Sequence, residues 1–427
     1  MTKKLTEMNF RKYIHNALLP VLVMALFILG SCEEDDGVPR EEPNGAPIIS
    51  YIRVTDPDQS DSLLVRGELG AGIVIMGENL GGTREVWFND RQAVVTPSWV
   101  TNETIIVSVP SIAPLEVTNK LYLVDDHLDT VAHDFEVTIP APEIYSALNE
   151  WPLAGESLII NGNYFFDVTP VTVEFTGGGA VVEATVLSQN QLEIPVPDGA
   201  TEGAVVITTN FGEATSTFHV WDSRNVVLDF DGLNPNGWRI GALDNADGPI
   251  DGNYLIVGGE IAANERDEGP GAPASSTKMM EYWGGSDPNR DSNFYPYYPN
   301  SYQEYVMKFE VKVNTWYGGY LNFCLAPPEH TGSNQEVWSN SINARAIWGP
   351  WSETGDEYTT DGQWITVTIP MTDFQYFIDV PGDVVYTGGQ KFIETAAGSL
   401  STWLIGSPES DGRYVEMYID NIRFVQP

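Results

Sequence analysis

The chain is short of basic residues, cysteine and long hydrophobic runs, and each shortage removes a class of function. Only 21 Lys and Arg stand against 60 Asp and Glu, a formal charge of −39. A nucleic-acid partner would demand a basic face, so that role is excluded. The same balance disfavours heavily anionic polysaccharides and leaves neutral ligands as the default. Two cysteines, Cys32 and Cys324, make no disulfide framework. The five histidines are scattered, and the sequence has no H-E-x-x-H, CxxC, G-x-S-x-G or phosphate-cradling loop. A retaining glycosidase needs two carboxylates about 5–5.5 Å apart. The aromatic-rich strands lack the E-x-[DE] alternation that would supply them, and Glu416 and Asp420, four apart on a strand, are about 13 Å apart. A hydrolase or lyase would need carboxylates converging from different strands.

What is present argues for a folded chain. Aromatics make up 11% of the 427 residues and charged residues only 19%, unlike a disordered acidic chain. The length predicts two to four domains. After Lys3, Lys4, Arg11 and Lys12 comes the apolar run Ala17–Leu29. It is shorter than the ~20 residues a membrane span needs, so residues 1–31 read as a signal peptide. Leu29-Gly30-Ser31-Cys32 resembles the lipobox of bacterial lipoproteins, which implies lipidation at Cys32. The acidic run Glu33–Asp36 behind it is similar to the surface-export signal of Bacteroidetes lipoproteins. Residues 32–46 are predicted to be a flexible acidic tether.

Short alternating runs bounded by Gly, Pro, Asn and Asp fill the rest, and no amphipathic helix exceeds two turns. The fold class is all-β. A repeat stands out: Gly72–Leu80 matches Ser157–Phe165, Val86-Trp-Phe88 matches Val173-Glu-Phe175, and Ile105–Pro110 matches Leu192–Pro197. One small sandwich per copy fits that spacing, over 47–139 and 140–222. The shared order resembles the immunoglobulin-like IPT/TIG family. Gly77 and Gly162 are predicted to need φ > 0 or a close backbone approach. Neither copy shows aromatics beyond the needs of its core, so both are expected to act as spacers.

Residues 223–427 hold 8 of the 12 Trp and 14 of the 19 Tyr. Tyr305, Met307, Phe309, Val311 and Val313 alternate with Lys308, Glu310 and Lys312, which predicts strands buried on one face and a two-sheet, jelly-roll-like β-sandwich. Val227–Gly232, Gly362–Pro370 and Tyr418–Phe424 resemble strands of jelly-roll carbohydrate-binding modules. The whole order is similar to the surface glycan-binding lipoproteins of Bacteroidetes polysaccharide-utilisation loci. That resemblance implies an outer-membrane, cell-surface protein capturing a neutral polysaccharide, with β-glucan favoured, beside a glycan transporter complex.

A neutral glycan offers hydroxyls, for which water competes, and C–H ring faces, which flat aromatic side chains bury. The candidate platforms are therefore aromatic. Trp348 and Trp351 flank a Gly-Pro turn, with Arg345 as a fixed donor fork. Trp316, Tyr317 and Tyr320 form a second cluster, and Trp283, Tyr297 and Trp338 stand in or beside polar loops. Trp238, Trp364 and Trp403 are assigned to packing. No cofactor is required. A structural Ca²⁺ would fall between Asp229 or Asp231 and Asp420, where the same carboxylates would otherwise cap turns. The alternative reading is an Ig-stalk adhesin, whose mark would be an exposed apolar patch.

Overall fold

Alternating apolar residues form strands throughout the computed structural model, which describes residues 44–427 except 154, 167–168, 238, 264, 266–275, 284–301, 327–344, 375, 379–383 and 387–398. Residues 1–43, Cys32 included, lie outside the described part. Among the described residues no helix is long and apolar enough to cross a membrane. The chain divides into one unit ending at Ile139 and a second running from Pro140 to Pro427.

In the first unit, the strands Ile48–Val54, Gly72–Glu78 and Thr104–Ser108 form one sheet. Arg91–Ala93, Thr83–Phe88, Lys120–Asp125 and Thr130–Asp134 form the other, in that spatial order. Ile73, Ile75, Val86, Phe88, Leu121 and Leu123 fill the space between them. The second unit opens with a sandwich of the same design. One sheet runs Glu143–Ala147, Ser157–Asn163, Gln191–Pro195, Thr185–Ser188, and the other runs Ala180–Glu183, Thr172–Phe175, Val205–Thr209, Gly212–Thr215.

Close approach, rather than φ, explains the matched glycines of the two copies. A Cβ on Gly77 would stand 1.9 Å from the Ile48 carbonyl oxygen, and one on Gly162 would stand 2.0 Å from that of Glu143. Both sit beside register shifts, between Ile49 and Tyr51 and between Ile144 and Ser146. The left-handed conformation falls two residues later in each copy, at Asn79 (φ 57°) and Tyr164 (φ 61°).

The C-terminal sandwich has two antiparallel sheets. The first runs Ala242–Asp244, Tyr254–Ile261, Arg413–Val425, Val306–Thr315, Ile365–Pro370, with Val226–Leu228 also paired to Arg413–Val425. The second runs Met279–Trp283, Ser399–Ile405, Tyr320–Ala326, Arg345–Trp348, Tyr376–Ile378, Val384–Tyr386. Met307, Phe309, Val311 and Val313 meet Leu321, Phe323 and Leu325 in the core, with the Phe309 and Phe323 rings 5.0 Å apart.

The strand Val306–Thr315 corrects the expectation of one buried face. Lys308, Glu310 and Lys312 are only 4%, 0% and 5% exposed. Their outer face is covered and their charges are matched. Glu150 of the second repeat reaches Lys308 at 2.5 Å and Arg423 at 2.8 Å. Arg423 also grips both Glu310 oxygens, at 2.8 and 3.0 Å. Burial pushes the Glu310 carboxyl up to about 7, against the opposing pull of Arg423. Two bonds involving main chain sit beside the ions: Glu150 N–H donates to Thr366 Oγ1 at 2.7 Å, and Thr366 N–H to the Leu148 carbonyl at 2.9 Å. Farther along the strand, Lys312 Nζ lies 5.2 Å from the centre of the Tyr418 ring and donates to the Asp247 carbonyl.

Candidate functional site

Strand alternation gives the second sheet an outer face of mixed character. Leu321 and Phe323 point into the core, so Tyr320, Asn322 and Cys324 point away from it. The same rule places Arg345 and Ile347, Ser399, Ser401 and Trp403, and Met279, Glu281 and Trp283 on that outer face. Register aligns them in rows. Asn322 stands between Trp403 and Ile347, and Cys324 between Ser401 and Arg345.

The charged members of this face are held within it. Arg345 is 1% exposed, its guanidinium 4.8 Å from the centre of the Trp403 ring. Glu281 pairs with Arg239 at 3.3 Å and also accepts the Arg239 backbone N–H at 3.1 Å. Burial raises the Cys324 thiol pKa and keeps it a neutral, unreactive group. Asn322 Oδ1 and Ser401 Oγ are buried with no hydrogen-bond partner. Two such orphaned polar atoms on one sheet face call for a polar partner.

The face opens at one end. Tyr320, Ile347, Trp348, Gly349, Pro350, Ser352 and Glu353 line a groove of about 400 Å³. The Tyr320 ring lies against Gly349, where a Cβ would come within 2.5 Å of it. Any larger residue at 349 would therefore displace the ring. Burial first, and the Glu409 charge second, raise the Tyr320 pKa, so its phenol stays a neutral donor. Trp283 marks the opposite end of the face. Its strand partner Ser399 and the Tyr320 partner Ile405 lie six residues apart on one strand, roughly 20 Å.

The structure separates the candidate aromatics into supports and surfaces. Trp351 does not sit exposed on a loop. It begins the short helix Trp351–Thr354, is 5% exposed, and donates from Nε1 to the Gly319 carbonyl at 2.6 Å. It lies behind Tyr320 and Tyr317, with ring centres 5.6 and 5.2 Å away. Trp316 is also corrected, being fully buried with its Nε1 on the Gly318 carbonyl at 3.1 Å. In both cases a backbone carbonyl satisfies the indole, so the ring enters the interior without an unpaired donor. Trp348 ends the strand Arg345–Trp348 and is half-buried, packed edge-on against Trp316 and Phe309 at 5.1 and 5.6 Å. Tyr317 is half-buried, with the Arg413 guanidinium 4.7 Å from its ring centre. Trp238, Tyr297 and Trp338 lie outside the described residues.

The proposed cation ligands do separate work. Asp229 Oδ1 caps a turn by accepting the N–H groups of Asp231, Gly232 and Leu233. Asp231 accepts from Asn253, both backbone and side chain. Asp420 is fully buried, and its pKa is pushed up to about 10 by burial and by the neighbouring Asp251 carboxylate. Asp229 and Asp231 thus do the turn-capping work that was the alternative for these carboxylates.

The family model described as "surface glycan-binding protein B xyloglucan binding domain" matches residues 220–426. The C-terminal sandwich belongs to that family. The surface glycan-binding protein PbSGBP-B from Prevotella bryantii is similar over 90% of this chain and 99% of its own, at 27% identity and a TM-score of 0.72. An IPT/TIG domain-containing protein from Bacteroides ovatus is 32% identical over 160 residues. That match spans 36% of this chain and 31% of the relative's length. Sequence reasoning did not pick out Asn322, Ser401 and Glu281. Each occupies an outward position on a strand whose inward positions are apolar, and that period-two signal would have found them.

Proposed function

We propose that the protein captures a neutral polysaccharide at the cell surface without cleaving it, holding the glycan along the outer face of the second sheet. The observation that carries this reading is the Tyr320–Trp348 groove on a domain that matches a glycan-binding family model. Ring faces would settle on Tyr320 and the open edge of Trp348, and hydroxyls would meet Ser352 and Glu353 in the same groove. A β-glucan is favoured, because the family description names xyloglucan and a flat face suits extended chains. A few platforms supply only about 4–8 kcal/mol net, so affinity is expected on the order of micromolar to millimolar. Glu281 is committed to Arg239, which speaks against acid–base catalysis on this face. The lipobox ending in Cys32 supports an outer-membrane lipid anchor, and the family supports delivery of glycan to a transporter.

Tyr320→Ala tests the proposal. Affinity-gel retardation by xyloglucan and by mixed-linkage glucan is expected to weaken at least tenfold, about 1.4 kcal/mol, with little change in Tm. Unchanged retardation would remove this groove from the binding site.

A further inference from the structure

A second feature of glycan-binding type lies in the first unit, on a repeat whose composition suggested only a spacer. Trp99 ends the 3₁₀ turn Pro97–Trp99 and is 54% exposed. It belongs to no core cluster, and the other described tryptophans are half-buried or buried. An exposed indole forfeits the burial that a core tryptophan gains. Trp99 also lines a groove of about 470 Å³, a volume within the range of small-ligand sites. Val94 and Ile112, 86% and 60% exposed, form apolar walls, and Gln92, Thr96 and Ser111 bring hydrogen-bonding groups. None of its twelve lining residues is charged. In a chain of charge −39, an uncharged concave lining selects a neutral partner.

We propose that this groove is a second glycan site, in which a neutral pyranose ring stacks on the Trp99 face. Its hydroxyls meet Gln92, Thr96 and Ser111, and its C–H face covers the indole. A protein partner would equally cover the apolar walls, but hydroxyl-reading groups set around one flat ring in a concavity suit a sugar better. The inference rests on the reading of the chain as a glycan binder and adds a site remote in sequence from the C-terminal face. Two weak sites on one chain raise retention on a polymer without any new contact at either.

The full chain carrying fluorotryptophan, with the Trp99 resonance assigned through Trp99→Phe, would be titrated with xyloglucan oligosaccharide and with mixed-linkage glucan heptasaccharide. The Trp99 signal is expected to shift saturably with at least one of them. Trp99→Ala is expected to lower retention on the polymer about threefold, with Tm unchanged because the ring packs on no core. If the C-terminal resonances shift and Trp99 stays silent, the second site is overturned and the proposed function stands. Silence at every tryptophan overturns both. A Trp99 signal that moves only with protein concentration makes the groove a contact between copies, and it overturns the sugar site as well.

Discussion

The two sheets of the C-terminal sandwich share one core and use their outer faces oppositely. The first sheet turns Lys308, Glu310 and Arg423 outward, and Glu150 of the preceding repeat closes them in. The second sheet turns the buried Asn322 and Trp403 outward and, at one end, brings Tyr320 to an open groove. Both faces are polar by strand alternation and both are largely buried, but the first is closed by matched ions and the second ends in the Tyr320–Trp348 groove. What separates them is the partner: full charges demand matched opposite charges when buried, whereas phenol, amide and hydroxyl groups tolerate exchange with water or sugar.

Breaking the closed face should cost the most. Arg423→Ala leaves Glu150 and Glu310 buried without their shared cation, and is expected to destabilise by about 3–5 kcal/mol in denaturant unfolding. A loss below about 1 kcal/mol would mean that the ions are solvated rather than sealed. Trp351→Ala probes the support behind the open face. It is expected to lower stability by about 3 kcal/mol and to weaken glycan binding only through the displaced Tyr320. Binding lost at full stability would make Trp351 a platform instead.

Asp420 sharpens the contrast at a smaller scale and with a pH signature. Its folded pKa of about 10 lies above the ordinary carboxylate value, so the folded state binds the proton more tightly than the unfolded chain. Its contribution is fully present below about pH 4 and declines as pH rises toward 10. Asp420→Asn supplies a neutral isostere and is expected to raise stability at pH 8 by roughly 1–3 kcal/mol, with a flatter pH profile. Equal pH dependence in the variant and the parent would place the buried charge elsewhere.

Local pattern made much of this legible. Alternation revealed the strands because each strand has one face in a core, and the matched glycines revealed the repeat because strand crossing forbids a Cβ there. The burial of Lys308 was not legible, since the residue that neutralises it lies 158 positions away. Nor was that of Trp351: a tryptophan beside a Gly-Pro turn looks the same whether it faces water or finds the Gly319 carbonyl. Trp99 escaped notice for the reverse reason, because one aromatic in a small sandwich reads as core until its surroundings are seen.

The Glu150 junction has a mechanical consequence. The second repeat and the sandwich are tied by buried ions and by a main-chain bond through Thr366, in place of a slack hinge. A polysaccharide dragged sideways across the groove therefore pulls on a single stiff lever. The load passes through those ties into the repeat behind it, and the direction in which the groove points is inherited from that repeat.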